Sequence, residues 1–196
     1  DLIIHVVRCF DDPNVAHVEG DIDPIRDIHI IEDELILKDL ESVEKREHNL
    51  AKDVKGGDRM AKHHLEVIKK LKAHLEEGNG ARSFEADEEE REAYEDLFLL
   101  SDKRVVYACN VGENDLPDGN AYVDKVRNYA KEQEDETVVF CAKLEEELAR
   151  LDDEEQQMFL EDLGVESSGL NRLIKAAYKE LNLITFFTYK KKEVKA

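Results

Sequence analysis

The sequence predicts an α/β fold, a small parallel sheet with flanking helices that is interrupted by an antiparallel helical hairpin. Two kinds of observation lead there. Three apolar runs, Leu2–Phe10, residues 103–109 and Thr137–Cys141, have the character of strands covered on both faces; Val105 to Cys109 contain nothing charged and include β-branched residues. Between these runs the apolar residues recur at helical spacing, and Gly56-Gly57 divides the longest helical stretch in two. In parallel sheets ligands bind just beyond the carboxyl ends of the strands, so the polar loop Asn110-Val-Gly-Glu113 stands where a site is expected.

In order, Leu2–Phe10 opens the chain as a buried-type strand with nothing before it to cover its edge, which reads as a piece of something larger. Asp11-Asp12-Pro13 turns the chain. Asp23 then caps a helix with Pro24 at its first position, running to about Val54. Ile28, Ile31, Leu35, Val43 and Leu50 form its apolar stripe. A second helix from about Asp58 to Glu77 carries Met60, Leu65, Ile68, Leu71 and Leu75, so the two read as a coiled-coil hairpin, a partner-binding arm or else a pair folded back on the core. Gly78-Asn-Gly80 ends it, and an acidic helix over about Asp87–Leu97 leads back to the second strand. Further helices are expected over about Ala121–Gln133, from Cys141, from Asp152 or Asp153 to Gly164, and from Ser167 or Ser168 to near Leu181. Leu183–Thr188 reads as one more strand.

The 196 residues are 41% hydrophobic, enough for a core, and carry a formal charge of −20. That charge argues against a broad electrostatic footprint on nucleic acid and against sequence-specific DNA binding, although a local basic cluster could still touch RNA; the dense one in the sequence is Lys190-Lys191-Lys192. No apolar run approaches a membrane span and no signal peptide pattern is present, so a cytoplasmic protein without a membrane partner is expected. Three cysteines without CxxC spacing fit buried free thiols; Cys9, Cys109 and Cys141 all fall at strand ends, where a redox-sensitive site is the sharper alternative.

Catalytic signatures are few. Gly164 to Gly169 has the spacing of a phosphate loop, but Leu170-Asn171 follows and the lysine is missing. His63 and His64 are adjacent and His74 lies too far along to complete a metal face, so solvated histidines are expected. Asn110-x-x-Glu113 gains weight from position. A strand followed by Asn-x-x-acid, and one helix later a strand followed by Cys141-Ala142-Lys143, is the arrangement of base-reading loops in a GTPase-type domain. An amide can pair with the N7 edge of either purine, and a carboxylate would accept from guanine N1–H and N2, which adenine does not offer.

These residues give the chain a resemblance, over essentially its whole length, to the YchF family of Obg-related P-loop NTPases. It rests on His5-Val-Val-Arg-Cys-Phe10, His17-Val-x-Gly20, Asp23-Pro24-x-x-Asp27-Ile28, Gly56-Gly57-Asp58, Asn110-x-x-Glu113, Cys141-Ala-Lys-x-Glu145, Leu170-Asn-x-x-Ile174 and Phe187-Thr188. The resemblance implies a partial Ras-like domain: residues 1–23 and 87–181 from the G domain, 24–86 the coiled-coil insertion, 182–196 the start of a TGS domain. It further implies a purine nucleotide ligand, ATP in preference to GTP, with Mg²⁺ bound by residues outside this chain, and association with the ribosome or a ribonucleoprotein. Asn110 would meet the purine N7 edge, the main chain of Val111 the adenine amine, and Phe10 would be an apolar neighbour of the base. Glu113 takes the place of the guanine-reading Asp, and Cys141, Ala142 and Lys143 form the loop behind the base. The family's phosphate loop and switch residues would lie upstream of Asp1, leaving this segment without hydrolytic activity of its own. Tyr189-Lys-Lys-Lys192 departs from the family's Thr-Ala-Gly.

Overall fold

The computed structural model describes residues 1–12, 21–190 and 193–195; His17, Gly20, Lys191 and Lys192 lie outside them, as does Pro13 of the first turn. The chain divides into two compact units, residues 1–25 with 104–196, and residues 26–103.

In the first unit, β1 (Leu2–Arg8), β2 (Arg104–Asn110) and β3 (Glu136–Phe140) form a parallel sheet in the order β1-β2-β3. The register pairs Arg8 with Asn110 and Asn110 with Phe140, so the carboxyl ends of the strands are level. Val106 through Cys109 are fully buried on the central strand, as its uncharged sequence requires. Helices α4 (Ala121–Glu132) and α7 (Gly169–Glu180) cover the sheet. Side chains alternate along a strand: Val106 packs with Ala176 and Leu173 of α7, while Tyr107 meets the ring of Tyr129 on α4 edge-on. The two helices therefore take opposite faces.

Helices α5 (Ala142–Leu148) and α6 (Asp153–Asp162) lie between β3 and α7. The expected caps are in place: Asp152 accepts from Glu154 N and Glu155 N, Ser168 accepts from Asn171 N, and Gly164 stops α6 at φ +68. Gly169 sits against the end of β3, where an added Cβ would stand 2.4 Å from Phe140 Cβ. Phe140 Cβ is fixed to its backbone and cannot swing aside. Gly169→Ala is therefore expected to cost about 1–3 kcal/mol of overpacking, read as a lower urea midpoint at unchanged slope; an unchanged midpoint would show that α7 slides freely.

In the second unit, α1 (Pro24–Lys55) and α2 (Arg59–Glu76) are joined through Gly56-Gly57, with Gly57 at φ +90 and Asp58 capping α2. Their shared core is Ile36, Val43 and Leu50 with Ala61, Val67, Ile68, Leu71 and Leu75. The inward line of α1 runs through Ile36, Leu40, Val43, Leu50 and Val54, at the three-, four- and seven-residue steps expected, but Ile31 is exposed and Leu35 half-buried, so the stripe starts from Ile36 instead. Met60 is likewise exposed, because Ala61 takes the inward position at the start of α2. Lys72 bridges Glu44 and Glu47 across the pair, and these carboxylates hold its ammonium above the usual lysine range.

The same core includes Ala81, Ala93, Tyr94 and Leu99, so the segment after α2 folds over the helical pair. It is not the single helix expected over 87–97. Asp87 and Glu90 close a capping box on the one-turn α3 (Glu88–Arg91), and a 3₁₀ turn at Glu95–Leu97 follows. The helix has ended at Arg91, and Ala93 and Tyr94, in the turn that follows, are both buried. Asp39, on the inner face of α1, is 2% exposed and accepts from Leu100 N (2.7 Å), Ser101 N (2.7 Å) and Ser101 Oγ (2.6 Å).

Two more expectations change. His63 and His64 are not solvated: both are half-buried with their Nε2 atoms enclosed and unpaired among the described residues. Leu183–Phe187 is not a strand; Ile184, Phe186 and Phe187 are exposed there, and regular pairing begins at β4 (Thr188–Lys190) against β5 (Glu193–Lys195), antiparallel. An apolar run forms a strand only where another strand takes up its backbone groups.

Candidate functional site

At the carboxyl ends of the three strands the loops surround an open cleft of about 1050 Å³, within the first unit. All seven residues singled out from the sequence, Phe10, Asn110, Val111, Glu113, Cys141, Ala142 and Lys143, line it. The sheet register brings them together: Asn110 ends β2, Phe10 comes two residues after β1, and Cys141 follows β3 directly.

Asn110 Oδ1 accepts from Ala142 N at 2.9 Å, tying the loop after β2 to the loop after β3. Because the partner is a backbone N–H, the oxygen must face it, and the Nδ2 amine is the end left to donate to a ligand. The Asn110 carbonyl accepts from Cys9 N (2.8 Å) and Val111 N donates to Phe140 O (2.9 Å). With its N–H committed, Val111 can offer a ligand only its carbonyl; its side chain is buried. Glu113, on the 3₁₀ turn Glu113–Asp115, pairs with Lys143 Nζ at 2.7 Å, and this carboxylate holds the Lys143 ammonium above the usual lysine range. Phe10 lies under the Arg8 guanidinium, 4.8 Å from its ring centre.

Two supporting residues escaped the reading of the sequence. Asn120 caps α4 through Tyr122 N and Val123 N, while its Nδ2 donates to Cys9 O and Asp115 Oδ2, both at 2.8 Å. An Asn just before a helical run is a cap signal that was available; its second role depends on loops far apart in sequence. At the cleft mouth the Tyr122 hydroxyl donates to Asp11 (3.1 Å), and the carboxylate raises the Tyr122 phenol above its ordinary range.

The cysteines are buried free thiols. A hydrogen bond with Cys9 and burial push the Cys109 thiol far up. Burial of all three fits the reading of these residues as small buried thiols.

A parallel α/β unit whose strand-end loops converge on one polar cleft has the open α/β architecture, in which ligands bind at the carboxyl ends of the strands. No protein-family model matches the chain. Over its full length it is 47% identical to the ribosome-binding ATPase YchF of Bacillus subtilis and 45% identical to that of Haemophilus influenzae, spanning 54% of each. The YchF GTPase structure from Schizosaccharomyces pombe superposes with a TM-score of 0.82 at 36% identity, over 99% of this chain and 53% of that one. The chain belongs to the YchF family, and it spans about half the length of the relatives it matches.

Proposed function

We propose that this chain carries the base-recognition half of a cytoplasmic, ribosome-associated P-loop NTPase of the YchF type that prefers ATP. The reading is carried by the bond from Ala142 N to Asn110 Oδ1, which holds the two strand-end loops together and turns the amide donor outward. A purine fits what remains. Asn110 Nδ2 can donate to N7 and the Val111 carbonyl can accept from the adenine 6-amine, whereas guanine would set its O6 acceptor against that carbonyl. Cys141, Ala142 and Lys143 back the base, with Phe10 beside it. Glu113, drawn to Lys143, is turned from the role a guanine-reading carboxylate needs. The relatives' names divide between ATPase and GTPase, and residues 110–113 are where this protein would decide. Mg²⁺, bound by residues outside this chain, would neutralise charge on the phosphates.

Residues 1–23 and 87–181 are assigned to the G domain, 24–86 to a coiled-coil arm and 182–196 to the start of a TGS domain. The seven-residue steps of Ile36, Val43 and Leu50 support the coiled-coil reading. A non-enzymatic interaction module would be better served by a cleft plugged with side chains, and this one is open. Titration of the intact protein with ATP and GTP tests the proposal. ATP should bind more tightly, and Asn110→Ala should weaken ATP by about tenfold, the value of one hydrogen bond. Equal binding of both nucleotides, or an indifferent Asn110→Ala, would refute it.

A further inference from the structure

Asn120 stands at the start of α4 with all four hydrogen-bonding positions of its side-chain amide taken. Oδ1 accepts from Tyr122 N (3.0 Å) and Val123 N (3.3 Å), which caps the helix. Nδ2 donates to Cys9 O and to Asp115 Oδ2, both at 2.8 Å. The two ends of the amide cannot be exchanged, because the backbone N–H groups require the oxygen and the carboxylate requires the amine. A cap needs only the oxygen, and serine or aspartate would supply it as well. The amine end serves something other than the helix.

Its partners lie on either side of the base loop. Cys9 precedes Phe10 and its N–H donates to Asn110 O (2.8 Å), while Val111 N donates to Phe140 O (2.9 Å), so the first two residues of the loop are fixed to the sheet. Among the described residues, the backbone bonds of the turn beyond Val111 are local. Asp115 N donates to Gly112 O (3.0 Å) and Leu116 N to Glu113 O (3.3 Å), which shapes the 3₁₀ turn without tying it to a strand. The Asp115 carboxylate makes that tie, through Asn120, to the residue after β1, and its charge strengthens the bond. Glu113 leans on Lys143, but these side chains are 44% and 72% exposed, where an ion pair holds weakly. The Val111 carbonyl belongs to the peptide that joins the fixed residues to the turn. If the turn moves, that carbonyl turns with it.

We propose that Asn120 is a positioning residue for base discrimination: by clamping Asp115 to the end of β1 it keeps the Val111 carbonyl in place for the base and Glu113 on Lys143. The proposal rests on the base-recognition reading above and names what holds that geometry. With the turn released, the carbonyl is free to rotate, so adenine loses an acceptor and guanine loses a clash. The test compares the intact protein with Asn120→Ser, which keeps a capping oxygen but has no amine, and with Asp115→Ala, which leaves the cap of α4 in place; urea midpoints establish that both variants fold. ATP and GTP dissociation constants are measured for each. In both variants ATP should weaken by about three- to tenfold, the range for one hydrogen bond, with GTP affected less, so that the preference for ATP shrinks by about the same factor. A purely structural role would weaken both nucleotides alike or move only the midpoint, and an unchanged ratio in both variants would therefore overturn the proposal. A shift in one variant alone would overturn it too, because the clamp needs both of its ends. If the wild type prefers ATP and the variants keep that preference, the base reading stands and the clamp falls. A wild type without preference would sink the base reading, and the clamp with it.

Discussion

Asp39→Ala is expected to destabilise the protein by about 2–5 kcal/mol, the cost of leaving hydrogen-bond donors without the charged acceptor they are folded around. The Asp39 carboxylate is enclosed and accepts three bonds, two of them from consecutive backbone N–H groups at Leu100 and Ser101. Alanine would leave both donors buried without acceptors, at about 1–3 kcal/mol each, and would also remove the partner of the Ser101 hydroxyl. Asp39→Asn should cost less, because an amide oxygen still accepts, yet its amine would face a donor. Urea unfolding followed by circular dichroism measures both. A loss below about 1 kcal/mol for the alanine variant would show that water replaces the carboxylate, and that the enclosure is looser than the bond lengths indicate.

Changing Val111 to Lys and Glu113 to Asp together in the intact protein should shift preference toward GTP by about ten- to a hundredfold, by analogy with the roughly 1–3 kcal/mol that a bidentate base contact discriminates. Glu113 now spends its carboxylate on Lys143 across the cleft. An Asp is one methylene shorter, so it should release that lysine and come within reach of the guanine N1–H and N2 donors. Lys at 111 must lead its stem out of a buried position; the single change Glu113→Asp, which avoids that burden, should move the ratio in the same direction by less. The measurement is the ratio of ATP to GTP dissociation constants. A ratio that stays put in both variants would mean residues 110–113 do not set specificity.

The sheet was legible in the sequence because a strand covered on both faces cannot carry charge, and Val105–Cys109 carries none. Helix starts were legible where a short polar side chain accepts from the first turn, as at Asp58, Asp152 and Ser168. The candidate site was legible because strand ends are few and Asn110 and Cys141–Lys143 stand on two of them. What failed depends on partners remote in the chain. Where the inward line of α1 starts is set by α2 and by the segment through Tyr94 and Leu99, which local periodicity cannot see. Leu183–Phe187 has strand composition without a strand beside it. The clamp at Asn120 was invisible for the same reason: Cys9 and Asn120 stand 111 positions apart, and only the fold makes them neighbours.

The position of the second unit in the chain has a consequence for how the sheet assembles. β1 and β2 are neighbours, yet the whole of residues 26–103 lies between them in the sequence. Joining two strands across a slack loop of that length carries an entropy cost, though each doubling of loop length adds only about 0.6 kcal/mol. This loop need not be slack. It has its own core, and Asp39 fastens Leu100 and Ser101, just ahead of β2, to α1. Once that core forms, the chain between the two strands behaves as a far shorter tether. An interruption that looks like an obstacle to pairing β1 with β2 becomes a pre-closed loop, and the cleft at the strand ends can be inherited by a sheet whose sequence is cut in two.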